Sequence, residues 1–224
     1  MNRKYRSVFL WSGVIVIILG IGYGMIWLVS SLSGSSGQQV QMQISDKDYS
    51  TGPSNGDIVL VEYSDFQCPA CAAWNSVLQQ LKKDKDIKDE LRIIYRFFPL
   101  SKIHLNAEIS AQSAYAAGKQ NKFWEYHDVL FEKQSEWSSL SKSLAQDRFI
   151  AYAESVGISL DQFIVDANSS EAINAVQDSY REGLKFGVNS TPTFFVNGLK
   201  LRGATSYEDL KLLLLSSRAT PSPK

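Results

Sequence analysis

Two cysteines, Cys68 and Cys71, are the only ones in the chain of 224 residues, and Pro69 and Ala70 alone separate them. A disulfide between residues this close closes a very short loop, and the stabilisation that a disulfide provides grows with loop length. The pair is therefore poorly suited to bracing a fold. The spacing favours a disulfide that is formed and broken, with a permanent staple or two inert thiols as the structural alternative.

The position of Cys68 relative to a predicted helix suggests which sulfur reacts first. Apolar residues recur at helical spacing after Pro69, and proline is well tolerated in a first helical turn, so Cys68 falls at or near the N-cap. The partial positive charge and free N–H groups at a helix N-terminus stabilise a thiolate. We therefore predict that Cys68 is the nucleophile, with a lowered pKa. Cys71, almost one turn further into the helix, is predicted to be the less exposed, resolving thiol.

The elements around this helix predict an α/β fold. Ile58 to Tyr63 and Leu91 to Phe98 are β-branched and apolar runs of strand length, and they flank the predicted helix. A strand, a helix and a strand in this order indicate a crossover connection between two parallel strands.

A long helical region follows, at about residues 104 to 186. Helical periodicity is interrupted there at Gly118, between Ser135 and Ser143, at Gly157 and around residues 168 to 170. The predicted helices are Ala107 to Gly118, Phe123 to Gln134, Leu144 to Gly157, Leu160 to Ala167 and Glu171 to Phe186.

The remaining part of the domain is predicted to be a hairpin and a closing helix. The turn pair Asn197-Gly198 separates Thr191 to Val196 from Leu199 to Ala204, which is typical of a β-hairpin. Ser206 then precedes a helix from Tyr207 to Ser217, with acidic residues in its first turn.

The N-terminal region predicts a membrane anchor. Arg3, Lys4 and Arg6 precede an uncharged, mostly apolar stretch over residues 7–33. About 20 apolar residues span a bilayer, whereas the apolar part of a cleaved signal peptide usually has about 7 to 15. We therefore expect an uncleaved, single-pass anchor in the cell membrane, with a cleaved signal as the alternative. The preceding basic residues predict that the remainder of the chain is extracytoplasmic.

The predicted domain organisation has four parts. An edge strand near Val40 to Ile44 is compatible with the second of them, which is otherwise rich in polar and small residues. The parts are a cytoplasmic N-terminus and anchor at 1–33, a linker at 34–56, a catalytic domain at 57–217 and a disordered tail at 218–224.

Composition argues against other classes of function. There are 23 basic and 23 acidic residues and no basic block in the body of the chain, so a nucleic-acid partner is not expected. His104 and His127 lie far apart on different predicted helices, and neither forms a zinc-type spacing with the cysteines. We therefore expect no metal site. His127 is predicted to pack beside Trp124 and Phe131.

Three motifs in combination resemble the DsbA-like family of thiol–disulfide oxidoreductases, which have a thioredoxin fold with a helical insertion. The motifs are Glu62 to Cys71, Phe97 to Leu100 and Gly187 to Gly198. The resemblance covers about residues 44 to 217. It implies a thioredoxin-like fold with an all-helical insertion, here preceded by a single N-terminal transmembrane helix. It also implies extracytoplasmic exchange of disulfides with protein substrates, with the Cys68–Cys71 disulfide as the redox group and no other cofactor.

The same resemblance assigns further site residues. Pro192 matches a cis proline that faces the cysteine pair, where the Thr191 backbone can bind an extended substrate. Glu62 matches a buried acid that exchanges a proton with Cys71 through water, although a strand-end carboxylate paired with a lysine is the alternative. Pro69 and Ala70 lie where they can tune the redox potential. Strongly oxidising members carry histidine at the position of Ala70, so we expect a potential below the value of about −120 mV for DsbA.

The leading functional hypothesis is a monomeric enzyme that donates its disulfide to exported proteins. A membrane redox partner would then reoxidise it, and lipid would hold its N-terminal helix. Two alternatives remain open: a protein-disulfide reductase or isomerase that uses the same site, and a non-catalytic, membrane-tethered holdase. Too few residues lie between the anchor and the first core strand for the dimerisation domain of family isomerases, which disfavours the isomerase.

Overall fold

A computed structural model describes Gly20 and residues 40–45 and 48–219 of the chain. The predicted anchor lies outside the described residues except for Gly20, and so does most of the predicted tail. None of the described helices is long and apolar enough to cross a membrane. The account below concerns the compact unit from Gln39 onward.

A five-stranded mixed sheet forms the centre of this unit. Its strands are β1 (Tyr49–Thr51), β2 (Ile58–Ser64), β3 (Leu91–Phe97), β4 (Thr193–Val196) and β5 (Leu199–Lys200). Their order across the sheet is β1-β3-β2-β4-β5. The pair β2 and β3 is parallel, with Glu62 beside Tyr95, and the other pairs are antiparallel. The predicted parallel crossover is therefore confirmed.

The edge strand lies later in the chain than Val40 to Ile44, so that expectation was wrong. No strand is found over residues 40–45. The Val40 N–H instead donates to the carbonyl of Gly198, beside the hairpin turn. Tyr49 to Thr51 form the edge strand against β3, and the Tyr49 ring stacks on Phe123 at 3.7 Å between centroids. This aromatic contact with the helical insertion holds the edge strand in place.

Eight α-helices occur over residues 48–219. They are α1 (Pro69–Leu81), α2 (Ala107–Lys119), α3 (Phe123–Glu132), α4 (Gln134–Trp137), α5 (Lys142–Ser155), α6 (Leu160–Ala167), α7 (Ser170–Lys185) and α8 (Tyr207–Ser216), and a 3₁₀ turn follows at Ser217–Ala219. Helices α2 to α7 form the predicted insertion between β3 and β4.

The break predicted between Ser135 and Ser143 is partly helical. Trp137 is fully buried, and its indole N–H donates to the carbonyl of Leu130 at 3.0 Å. A buried indole requires such a partner, and this anchor draws the segment into the short helix α4. The next helix begins at Lys142, two residues before the predicted start at Leu144, because the Ser141 hydroxyl caps it by accepting a hydrogen bond from the Leu144 N–H.

The hairpin forms at the predicted turn but is shorter than predicted. Asn197 and Gly198 have φ values of 47° and 82°, as a two-residue hairpin turn requires. The second strand ends at Lys200, and one further cross-strand hydrogen bond runs from the Leu201 N–H to the carbonyl of Phe194 at 2.8 Å. Ser206 then caps α8, with its hydroxyl accepting from the Asp209 N–H at 3.1 Å.

The face of the sheet opposite to α1 packs Val61, Tyr63, Ile94 and Phe195 against Phe98 and Val188. The other face carries two packed clusters, and the insertion supplies one of them. That cluster contains Phe66, Tyr95 and Phe97 together with side chains from each of the helices α2 to α7. A second cluster packs α1 and α8 against apolar residues of β2, β3 and β4. The start of α1 therefore lies where the insertion, the sheet and the segment before β4 meet.

Candidate active site

Cys68 lies at the junction of the turn after β2 and the first turn of α1. The turn is closed by a hydrogen bond from the Cys68 N–H to the carbonyl of Asp65 at 3.0 Å. Cys68 is the N-cap residue, with extended backbone angles, and Pro69 is the first residue of the helix. Both sulfurs are present as free thiols. Cys68 is 7% exposed and Cys71 is fully buried, which confirms the predicted difference in exposure.

The surroundings of Cys68 favour its ionised form. The side chain of Cys71 hydrogen-bonds the sulfur and contributes most to lowering the pKa of Cys68, to about 5. Thr191 and the backbone N–H groups of Cys71 and Ala70 lower the pKa further, while burial opposes them. A thiolate at this position is a nucleophile at neutral pH.

The surroundings of Cys71 and Glu62, in contrast, favour the protonated forms of these groups. Burial raises the pKa of Cys71 far above that of an ordinary thiol, and the neighbouring Cys68 and Glu62 raise it further. Burial also raises the pKa of Glu62 to about 7. No lysine or arginine among residues 48–219 pairs with Glu62, so the ion-pair alternative is not what the structure shows. The site thus pairs an easily ionised sulfur with two groups that retain protons.

Tyr95 is a neighbour of Glu62 that the sequence did not single out. It lies beside Glu62 in the parallel β2–β3 register, and both side chains are buried. Neither Glu62 Oε1 nor the Tyr95 hydroxyl has a hydrogen-bond partner within the described part of the chain. Burial raises the pKa of Tyr95, and Glu62 and Cys71 add to the effect. Glu62 and Tyr95 therefore lie near Cys71, and the buried Ser64 hydroxyl lies near both of them.

The segment before β4 forms the other wall of the site. The Thr191–Pro192 peptide is cis, as the family resemblance implied. The Cys68 thiol donates to the Thr191 carbonyl at 3.5 Å, and the Thr191 hydroxyl is buried. The structure therefore brings Cys68 and Cys71 together with Thr191 and Pro192, which lie more than a hundred residues later in the chain. Pro69 and Ala70 are exposed beside them.

The insertion braces the turn that carries Cys68 through amide side chains. The Gln134 amide donates to the carbonyls of Phe66 and Cys68, at 2.7 and 3.0 Å. The Gln67 amide donates to the carbonyl of Ser138 and accepts from the Asn106 N–H, both at 2.6 Å. The sequence analysis missed these glutamines, since no local pattern distinguishes them from surface residues.

Asp65 connects the same turn to the loop after β3. Its carboxylate accepts from the Gln67 N–H at 2.8 Å, within the turn. It also accepts from the Leu100 N–H at 2.9 Å and contacts His104 Nδ1 at 2.7 Å. The carboxylate is fully buried, whereas the His104 ring is 17% exposed. His127 lies apart from this site, packed against Trp124 and Phe131 as predicted.

An open cavity of about 890 Å³ lies beside Cys68. Its wall comes from the loop after β3, from α2 and α7, and from the segment before Pro192. The surface is largely apolar, and Ile103 at its rim is 73% exposed. A flexible apolar segment of another molecule can therefore lie next to the Cys68 sulfur.

Comparison with known proteins finds one matching family, described as thioredoxin, over residues 45–215. Among curated relatives, a Na⁺/H⁺ antiporter NhaA 1 of Salinispora arenicola is 34% identical over 175 residues, which make up 78% of this chain and 25% of that protein. A Na⁺/H⁺ antiporter NhaA of Herminiimonas arsenicoxydans is 32% identical over 76% of this chain and 26% of its own length. The chain thus spans about a quarter of the length of these relatives.

Solved structures show the same fold. BdbD from Bacillus subtilis, in its oxidised form, is 20% identical with a TM-score of 0.70, covering 80% of this chain and 98% of that one. A thioredoxin-like oxidoreductase from Silicibacter pomeroyi is 24% identical with a TM-score of 0.65, covering 78% and 94%. Since the family match extends from the edge strand through the closing helix and includes both cysteines and the cis proline, the chain belongs to the thioredoxin family.

Proposed function

We propose that this protein is a thiol–disulfide oxidoreductase that introduces disulfide bonds into exported proteins through Cys68 and Cys71. The observation that carries the proposal is the contrast between the two sulfurs. Cys68, which is 7% exposed, lies at a helix N-terminus in the wall of the open cavity with its pKa lowered to about 5, while Cys71 is fully buried with a raised pKa. This asymmetry assigns attack from outside to Cys68 and resolution to Cys71.

The exchange balances as a two-electron transfer. A substrate thiolate attacks Cys68 of the Cys68–Cys71 disulfide, a mixed disulfide forms, and Cys71 leaves with the electron pair and takes up a proton. A second substrate thiolate then attacks the substrate sulfur of the mixed disulfide, and Cys68 leaves as a thiolate. The substrate is oxidised to a disulfide and the enzyme is reduced to a dithiol.

The form of the enzyme that the site stabilises supports the oxidase direction. Hydrogen bonds to the Cys68 sulfur stabilise the thiolate, which exists only in the reduced enzyme. Stabilising the reduced form makes the disulfide a stronger oxidant. Glu62 is buried close to Cys71 and has a pKa of about 7, so it can donate the proton that Cys71 takes up and can accept it again.

Substrate binding and location complete the proposal. The cis Thr191–Pro192 segment and the apolar cavity provide a backbone edge and a surface for an unfolded segment, with no demand for a particular sequence. We propose that residues 7–33 anchor the domain in the cell membrane and that the domain is extracytoplasmic, where a membrane redox partner reoxidises it. The relatives named as antiporters support a setting beside a membrane.

Oxidative refolding of a reduced, disulfide-containing protein tests this function. Wild-type protein in its disulfide form should restore substrate activity in stoichiometric amounts, and the Cys68→Ser variant should not. Equal refolding by both would identify a holdase instead. A redox titration against glutathione then tests the direction, because a potential as reducing as about −270 mV, typical of thioredoxin, would favour a reductase.

A further inference from the structure

His104 and Cys68 line the same cavity, although the chain separates them by 36 positions. His104 lies in the loop between β3 and α2, and its ring is 17% exposed. Asp65 contacts both of these residues. Asp65 accepts the Cys68 N–H through its backbone carbonyl at 3.0 Å and contacts His104 through its carboxylate at 2.7 Å. The imidazole and the sulfur are therefore fixed on either side of one tight turn.

The Asp65 carboxylate orients the ring. It is fully buried and already accepts two backbone N–H groups, from Gln67 and Leu100. A carboxylate in that position is an acceptor, so His104 donates to it from Nδ1. The remaining nitrogen, Nε2, has no hydrogen bond to any residue in the described ranges. An imidazole held at one nitrogen by a carboxylate and free at the other is arranged to accept a proton.

Other polar groups in the cavity lack one or more features of His104, and Lys102, as a cationic side chain at neutral pH, is a donor that cannot accept a proton. Lys102 and Glu108 also line the cavity, and Glu108 accepts from the Ser101 hydroxyl at 2.8 Å. Tyr180 reaches the cavity from α7 and packs on Phe98. Glu62 and Cys71 are buried beneath the sulfur. Among these groups, His104 combines partial exposure, a fixed orientation and a free basic nitrogen.

We propose that His104 is a general base for the incoming substrate thiol, an inference that rests on the proposed oxidoreductase function. His104 Nε2 accepts the proton of a substrate S–H as its sulfur attacks Cys68. The new bond joins the substrate sulfur to Cys68, the Cys68–Cys71 bond breaks, and its electron pair remains on Cys71, which is then protonated. His104 later releases its proton to solvent. Cys68 does not need this base, because its own surroundings ionise it.

The pKa of the substrate thiol sets how much His104 can increase the rate of attack on Cys68. An ordinary cysteine with a pKa of about 8.5 is only about 3% ionised at pH 7, so a base can accelerate its attack by at most about 30-fold. The advantage disappears above about pH 9, where the substrate thiol ionises without help. A thiol that is already ionised at neutral pH gains nothing.

Single-turnover oxidation by the disulfide form tests the proposal with two probes. His104→Asn retains an N–H near the position of Nδ1 for Asp65 but lacks Nε2, and His104→Gln serves as a second variant. With a cysteine-containing dithiol peptide, we expect the variants to be about 10-fold to 30-fold slower than wild type at pH 7 and equal to it above about pH 9. With selenocysteamine, whose selenol is ionised at neutral pH and reduces disulfides, wild type and variants should react at equal rates.

Three outcomes separate the possibilities. Unchanged peptide rates at pH 7 would overturn the role of His104. A loss of equal size with both probes and at every pH would also overturn it, because that pattern indicates a positioning role through Asp65. If wild type oxidises neither probe, the proposed function itself fails. Thiolate absorbance of Cys68 in the reduced variants, expected to match wild type, shows whether the site is intact.

Discussion

The hydrogen bond from Cys71 to the Cys68 sulfur makes a quantitative prediction about a single pair of variants. It is the largest contribution that lowers the pKa of Cys68, from 9.0 to about 5. Cys71→Ala removes this donor, whereas Cys71→Ser retains an O–H donor of similar size. Each variant leaves Cys68 as the sole cysteine in the chain, so its ionisation can be followed without a second thiol.

The expected shift follows from the strength of such a bond. A hydrogen bond to a charged group contributes about 1.5–3 kcal/mol, and one pKa unit corresponds to 1.36 kcal/mol. Cys71→Ala should therefore raise the pKa of Cys68 by about 1 to 2 units, to about 6 to 7. The pKa in Cys71→Ser should stay within about half a unit of 5.

Ultraviolet absorbance of the thiolate, recorded as a function of pH, gives both midpoints. The unfolded variants in denaturant provide the ordinary midpoint for reference. Equal midpoints in Cys71→Ala and Cys71→Ser would refute the reasoning. The helix N-terminus and the backbone N–H groups would then be sufficient to ionise Cys68 without a hydrogen bond from residue 71. Circular dichroism at each pH would show that the helix start is retained.

Three further predictions concern stability, each measured by urea unfolding of the disulfide form. Because the pKa of Glu62 is raised from 4.5 to about 7, its contribution to stability is present below pH 4.5 and lost as the pH rises through 7. The free energy of unfolding of wild type should fall by up to about 3 kcal/mol over this window relative to that of Glu62→Gln. Parallel pH profiles of the two proteins would contradict this. Gly183→Ala should cost about 1–3 kcal/mol, since the added methyl would lie 2.7 Å from Phe98, whereas Asn174→Ala on an exposed face of the same helix should be neutral; equal effects would show that Phe98 moves freely. Gln134→Ala should cost about 1–3 kcal/mol because two carbonyls of the reactive turn lose their donor, with exposed Ser135→Ala as the control; a loss no larger than that of the control would mean that water replaces the amide.

Local patterns were sufficient to predict the start of α1 and hence the placement of Cys68. Pro69, the apolar spacing after it and the preceding apolar strand act within a few residues of one another, so they can be seen in the sequence. The hairpin turn at Asn197-Gly198 was predictable for the same reason. The edge strand was misplaced because Val40 to Ile44 and Tyr49 to Thr51 both suit a strand, and only contacts with Phe123 and β3 decide between them.

The polar environment of the site could be predicted only in part. Glu62 stands out because a carboxylate interrupts an apolar strand, whereas Tyr95 is an ordinary strand residue until the register places it beside Glu62. The contact between Asp65 and His104 spans 39 positions and joins two loops. No local rule relates residues at that separation, so the pairing emerges only from the folded chain.

The two amide bridges of Gln67 and Gln134 limit how far this domain is modular. Both connect the reactive turn to backbone groups or side chains of the insertion, near the short helix α4. A chimaera that grafts a foreign helical region between β3 and β4 would need an amide donor at the place of Gln134 and a carbonyl at the place of Ser138. Evolutionary exchange of the insertion, which would diversify the surface around the cavity, is thus constrained at these polar points as well as by its apolar packing against Phe66, Tyr95 and Phe97.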